Sequence, residues 1–388
     1  MEQEKLVYTD RRNTGCLKWD ELKARFGEDD LLPLWIADMD FKAPALVAQR
    51  LHELCDHGVF GYYKTPESYY TAFLNWERER HGYEPQRDWL RYSPGIVAGI
   101  NWLVTLLTRP GDGIIVMTPV YYPFFYAVRD HGRTLVESPL VNDGGVYTVD
   151  FARFERDITE NNVKVFILSS PHNPAGRVWQ REELARMCEI CEKHGVVILS
   201  DEIHQDLVQP GHKHLPTALA AGKPEKVVTF ASASKTFNLA GFNNAFVVIP
   251  DDELRAKFDA FVKPLHLTAG SIDGYVAAQA AFEGGAGWLA SLLEQVREND
   301  GIMRAILAEG LPCAVVSPLE GTYLQWIDLR AYLKPGEEEE MIARRCRLAV
   351  DYGDWFGPVG TGFIRVNLAT KAEHIRAAAE ALVRELKA

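Results

Sequence analysis

The chain has 388 residues, a formal net charge of −12, 47% hydrophobic and 25% charged residues, and a mean hydropathy of −0.16. These are the proportions of a soluble globular protein, long enough for one large domain and a smaller one. The acidic balance excludes nucleic acid and anionic membrane as main partners, and no apolar run approaches the roughly 20 residues of a spanning helix.

Met1 to Asp30 is charged throughout, without the apolar core of a signal peptide, and a cytoplasmic location is the expectation. Residues 1–45, rich in Pro, Trp and charge, read as an N-terminal arm and part of a small domain. Residues 46–285 read as a large domain. Within it, Ser93-Pro94-Gly95 opens a helical stretch from Val97 to Leu107. Gly113–Thr118 and Val163–Ser170 read as strands, and Arg181–His194 as a helix closed by Gly195, a residue suited to the left-handed position. Val196–Ser200, Val227–Phe230 and Ala245–Ile249 follow as strands. Short buried runs alternating with helices imply a mostly parallel sheet covered on both faces, an α/β fold.

From residue 286 to 388 the pattern changes to a smaller α+β domain. A long helix near Trp288–Glu309 leads to Ala314–Ser317, Tyr323–Asp328, a helix after Pro335, the strand Phe363–Leu368 and a terminal helix. The run Glu337–Glu340 suits the positive end of a helix dipole. Six scattered cysteines fit reduced thiols. Cys188 and Cys191 complete an apolar stripe with Leu184 and Met187, so core packing outranks redox or zinc. His212-Lys213-His214 reads as a solvated loop, and no metal site is expected.

The residues with chemical promise lie just past apolar runs, where open parallel sheets bind ligands. Lys235 sits in Ala231-Ser232-Ala233-Ser234-Lys235, crowded by small and hydroxylic residues. A free lysine is only about 0.04% neutral at pH 7, so a lysine that forms an imine needs a partly dehydrated or cationic setting. Asn173 lies in Asn173-Pro174-Ala175-Gly176, Asp201 directly follows Val196–Ser200, and Tyr121 follows Thr118-Pro119-Val120. Taken singly, these are a turn residue, a cap, a surface lysine and a core tyrosine. No G-x-G-x-x-G follows a strand, which argues against a nicotinamide or flavin site.

The order Asn-Pro-x-Gly, Ser-Asp-Glu, Ser-x-Ser-Lys resembles fold-type I pyridoxal-phosphate enzymes of the aspartate aminotransferase superfamily. Leu34–Phe41, Val59-Phe60-Gly61-Tyr62, Ser93–Val97, Thr118–Phe124 and Asp201-Glu202-Ile203-His204 are similar to its carbon–sulfur lyase branch, the MalY/PatB cystathionine β-lyase group. The resemblance runs from about Thr9 to Thr370. It implies pyridoxal 5'-phosphate as cofactor, held by Lys235 as a Schiff base, with Lys235 also the catalytic base. Asp201 would pair with the pyridine nitrogen, a pairing that shifts a pKa by ~1–3 units. Asn173 and His204 would face the phenolate oxygen, and Tyr121 would stack on the ring and share in catalysis.

Gly95, Ile96 and Val97 would hold the phosphate at a helix start, aided by Ser232 and Ser234. Gly95 and Gly99 are equally compatible with close helix packing. The resemblance also implies a homodimer in which Tyr62 reaches the neighbouring subunit's phosphate. Arg365, on an apolar strand, would clamp the substrate carboxylate alongside Ala37 and Asn173; the alternative is a structural salt bridge. Superfamily aminotransferases commonly carry an arginine eight residues after the lysine; here that position is Asn243. With His204, this tilts the expectation toward β-elimination of L-cystathionine or S-substituted L-cysteines. A class I/II aminotransferase acting on an L-amino acid is the alternative. A cofactor-sensing regulator would need a DNA-binding segment, for which the chain shows no basic helix-turn-helix.

Overall fold

Seven strands form the main sheet: β1 (Leu90–Ser93), β2 (Gly113–Val116), β3 (Thr134–Glu137), β4 (Val163–Ser169), β5 (Val197–Asp201), β6 (Val227–Ala231) and β7 (Ala245–Val248). Their spatial order is β1-β7-β6-β5-β4-β2-β3. The computed structural model describes residues 3–387; the first two residues of the expected arm and the last residue of the chain lie outside that range. From β3 to β6 every pairing is parallel, while β7 runs antiparallel to both β6 and β1.

The central strands are apolar on both faces because both faces are covered. Ile114, Val116, Val165 and Ile167 point into a core shared with Ile100, Leu103 and Val104 of the helix Ile96–Leu107. Their neighbours Ile115, Phe166 and Leu168 point into the opposite core with Phe73, Met187 and Phe282. β1 and β3 are edge strands whose residues are partly exposed, so they lack the continuous apolar run that betrays the inner ones.

The helix Arg181–His194 is closed by Gly195 at φ 69°, and at its start Gln180 N–H donates to Glu183 Oε2 at 2.9 Å. Cys188 and Cys191 are buried in it; burial pushes the Cys188 thiol up to about 12, which suits packing. The His212–His214 expectation needs correcting. His212 and Lys213 are exposed, but His214 is buried, with Nε2 2.8 Å from Glu202 Oε2. Glu202 is itself buried, and a buried carboxylate requires partners.

A second, antiparallel sheet is built from Val315–Val316, Leu324–Asp328, Phe363–Asn367 and Asp351–Tyr352, in that order. The arm joins this region: Leu32–Pro33 pairs parallel with Leu348–Ala349. The helical segment after Pro335 is a π-helical stretch, Glu339–Arg345, with Glu339 and Glu340 in its first turn.

The register determines what meets at the sheet's edge. Ser169 pairs with Asp201, Asp201 with Phe230, and Ala231 with Phe246, whose neighbour Ala245 pairs with Ser93. The carboxyl ends of β1, β4, β5 and β6 therefore lie along one edge.

Candidate active site

A cavity of about 420 Å³ opens at that edge. Asn173 beyond β4, Asp201 at the end of β5 and Lys235 beyond β6 line it together. So do Tyr121 and His204, Ser232 and Ser234, the helix start Gly95-Ile96-Val97, and Ala37 from the arm. The structure does not bring two of the expected residues into the lining. Tyr62 is fully exposed, and Arg365 is buried behind Asn173.

Lys235 rides a one-turn helix, Ala233–Thr236, whose start is capped by Ser232. Ser232 Oγ accepts the Ser234 N–H at 3.1 Å and donates to Asn244 O at 2.6 Å. The half-buried amine donates to Ala37 O at 2.6 Å, a carbonyl that also accepts the Tyr323 hydroxyl at 2.9 Å. Burial lowers Lys235 to about 8; the Asp38 carboxylate opposes the fall and the Arg365 guanidinium adds to it. Lys235 is thus held against the arm in a partly dehydrated setting.

Asp201 is buried, and burial raises its carboxyl to about 7; the Ile203 N–H, 3.1 Å from Oδ1, and the Lys235 charge only partly offset this. The buried His204 ring is held well below its ordinary pKa by burial, Lys235 and Arg365, so it is neutral, and its Nδ1 has no hydrogen-bond partner. Burial likewise raises the Tyr121 phenol.

Gly95 and Gly99 separate clearly. At Gly99 a Cβ would meet Phe230 Cε1 at 2.8 Å, so close helix packing explains that glycine. At Gly95 a Cβ would meet nothing within 4 Å, and φ 161° is extended backbone open to any residue. No side chain caps the helix that begins at Ile96, leaving its first N–H groups without internal partners.

Arg365 has partners that sequence reasoning missed. Nη1 donates to Asn173 Oδ1 at 2.9 Å, Nη2 to Trp35 O at 3.1 Å, and Nη2 pairs with Asp351. The structural salt bridge expected as the alternative to a substrate clamp is thus present inside the chain. Asp351 lies in a two-residue strand with no periodic signal, and only the sheet register, which sets it opposite Arg365, reveals the pair. Asn243 lines the cavity eight residues after Lys235, and its side chain bonds only weakly to Gly241 O, at 3.4 Å. Among the described residues no group of three or more His, Cys, Asp or Glu side chains is placed to hold a metal.

The chain matches the aminotransferase class I and II family over residues 42–382. It belongs to that family. It is 38% identical to the cystathionine beta-lyase PatB of Bacillus subtilis over 373 residues, covering 95% of this chain and 96% of the relative. Cystalysin of Treponema denticola, whose crystal structure contains pyridoxal 5'-phosphate, superposes with a TM-score of 0.95 at 34% identity, covering 100% of this chain and 99% of that one. A pyridoxal-phosphate-bound C-S lyase from Staphylococcus hominis superposes at 0.92 and 31% identity, covering 98% and 97%. The family's fold, a mostly parallel sheet beside a smaller sheet, is the one described above.

Proposed function

We propose that this chain is a pyridoxal 5'-phosphate-dependent carbon–sulfur β-lyase, converting L-cystathionine or S-substituted L-cysteines to thiol, pyruvate and ammonia. The observation that carries it is the meeting of Lys235, Asp201 and Asn173 in one cavity at the ends of three adjacent parallel strands. The residues present fit the cofactor. Asp201 is a buried carboxyl in search of a cation, His204 Nδ1 is a buried nitrogen without a partner, and Gly95 is a glycine that the protein's own packing does not demand.

The bound cofactor supplies an aldehyde for amines and a protonated aromatic ring that accepts electrons from Cα. Lys235 would hold it and, freed by the substrate amine, would take the Cα proton on Nζ; burial lowers this amine to about 8, toward its neutral form. Asp201 would hold the proton on the ring nitrogen. Asn173 and the neutral His204 would face the phenolate oxygen, and Tyr121 would pack on the ring. The N–H groups of Ile96 and Val97, beside Gly95, take the phosphate with Ser234; Ser232 acts mainly by capping the Lys235 turn. Arg365 orients the α-carboxylate beside Asn173 and Ala37. With Cα deprotonated, the Cβ–S bond breaks and sulfur leaves with the bonding pair.

The working unit is a homodimer in the cytoplasm. The exposed Val59, Phe60 and Tyr62 support the dimer, since they form an apolar run that a second chain would cover while Tyr62 reaches its phosphate. Six unpaired cysteines support a reducing compartment, and no helix among the described residues is long and apolar enough to cross a membrane.

L-Cystathionine supplied without a keto acid should yield pyruvate, ammonia and free thiol in equal amounts. Turnover that appears only on adding 2-oxoglutarate, without pyruvate, would replace elimination with transamination.

A further inference from the structure

We infer that Asp351 is a positioning residue and internal counter-ion of Arg365, which competes with the substrate α-carboxylate and sets its affinity. The inference rests on the reading of Arg365 as the carboxylate clamp. Asp351 and Arg365 face each other on neighbouring antiparallel strands, and both side chains are almost wholly buried. Their contact is one-sided. Asp351 Oδ2 meets Nη2, while Asp351 Oδ1 and Arg365 Nε have no partner.

Some arginine–aspartate pairs elsewhere in the chain close both contacts, while others, such as Arg304–Asp300, make one. Arg91 donates from Nε and Nη2 to the two oxygens of Asp259 at 2.5 and 2.8 Å. Arg330 reaches both oxygens of Asp328. The Arg365 pair thus keeps one buried donor, Nε, uncommitted. Nη2 has both its N–H groups engaged, by Trp35 O and Asp351, while Nη1 has one on Asn173, so a carboxylate that grips Arg365 at two points pairs Nη2 with Nε or with the second Nη1 N–H and contests Nη2 with Asp351.

Two carboxylates against one guanidinium in a buried site leave excess negative charge. The other charged or titratable groups facing Asp351 are Arg25 of the helix Leu22–Phe26 and the phenols of Tyr121 and Tyr122. None of these supplies a second cation as close as Arg365. The relief available is protonation of Asp351 at the oxygen with no donor, Oδ1. Burial already raises this carboxyl to about 6, with Arg365 and Arg25 opposing. Substrate binding then takes up one proton from solvent, and affinity falls as pH rises through the range in which Asp351 ionises.

The test is steady-state pyruvate release by the holoenzyme from L-cystathionine between pH 6 and 8. Asp351→Asn keeps an oxygen for Nη2 and removes the charge. We expect KM at pH 8 to fall about tenfold, roughly 1.4 kcal/mol, with kcat within twofold and the rise of KM with pH flattened. Asp351→Glu should restore the wild-type profile. A cystathionine methyl ester at the reacting end lacks the contested charge, so its KM should carry no such pH dependence in wild type. An unchanged or raised KM in Asp351→Asn, with a normal melting temperature, overturns the inference. If that variant does not fold, equal pH dependence for acid and ester in wild type overturns it. Arg365→Lys separates the two levels. A KM left unchanged there removes the clamp and this inference together; a raised KM with no Asp351→Asn effect removes the inference alone.

Discussion

Asp201→Asn tests the electronic role of Asp201 through stability as well as rate. Burial raises the Asp201 carboxyl from its ordinary 3.8 to about 7, opposed by the Ile203 N–H and the Lys235 charge. An acid whose folded pKa lies above its unfolded value costs stability as it ionises, so the cofactor-free protein loses stability as pH rises from about 4 to about 7. The interval is about three pH units, or roughly 4 kcal/mol at 1.36 kcal/mol per unit, an upper figure because water entry relieves part of it. The amide in Asp201→Asn cannot ionise and keeps an oxygen for the Ile203 N–H. Cofactor-stripped Asp201→Asn should therefore melt several degrees above stripped wild type at pH 8, with the gain fading toward pH 4.

The loaded enzymes should reverse this order. A cationic ring nitrogen beside Asp201 is stabilised by ~1–3 pKa units, about 1.4–4 kcal/mol, which the variant forfeits in cofactor affinity and in holding Cα charge. Its kcat for pyruvate release should fall by about tenfold to a thousandfold. Differential scanning fluorimetry of stripped and loaded forms at pH 5 and pH 8, with the pyruvate assay, reads both effects. A stripped variant that melts below wild type at pH 8, or a kcat near normal, refutes the reasoning.

Lys235→Ala should lose both multiple turnover and the borohydride-reducible link to the cofactor; a link that persists through another lysine would put the site elsewhere. Gly95→Ala should change stripped-protein stability by less than about 0.5 kcal/mol, because no atom crowds its Cβ, yet weaken cofactor binding at least tenfold by fluorescence titration. Gly99→Ala should do the opposite, costing roughly 1–3 kcal/mol in urea unfolding as its Cβ meets Phe230. His214→Ala should destabilise by about 1–3 kcal/mol, since it leaves Glu202 Oε2 buried without a partner; a loss under about 0.5 kcal/mol would mean that Ser200 and the Thr217 N–H satisfy Glu202 alone.

What was legible in the sequence, and what was not, has a physical boundary. Parallel strands place the residue after each apolar run at one edge, so a local pattern locates Asn173, Asp201 and Lys235 without any long-range contact. Edge strands such as Thr134–Glu137 escape because one side faces solvent, and His214 escapes because its partner Glu202 is twelve residues away. The arm shows the boundary most plainly. Residues 35–41 have no regular pattern of their own, yet Trp35 O is held by Arg365, the Ile36 and Asp38 carbonyls by Asn367, Ala37 O by Lys235 and Tyr323, and the Met39 and Phe41 carbonyls by Asn238. These contacts span 197 to 331 residues, beyond any periodicity. The groups proposed to hold the cofactor are thus ones that local sequence can place. The groups proposed to meet the substrate, the arm and the Asp351–Arg365 pair, are placed by tertiary structure. Selectivity within this family is therefore expected to diverge through the arm and the small sheet sooner than through the three strand ends.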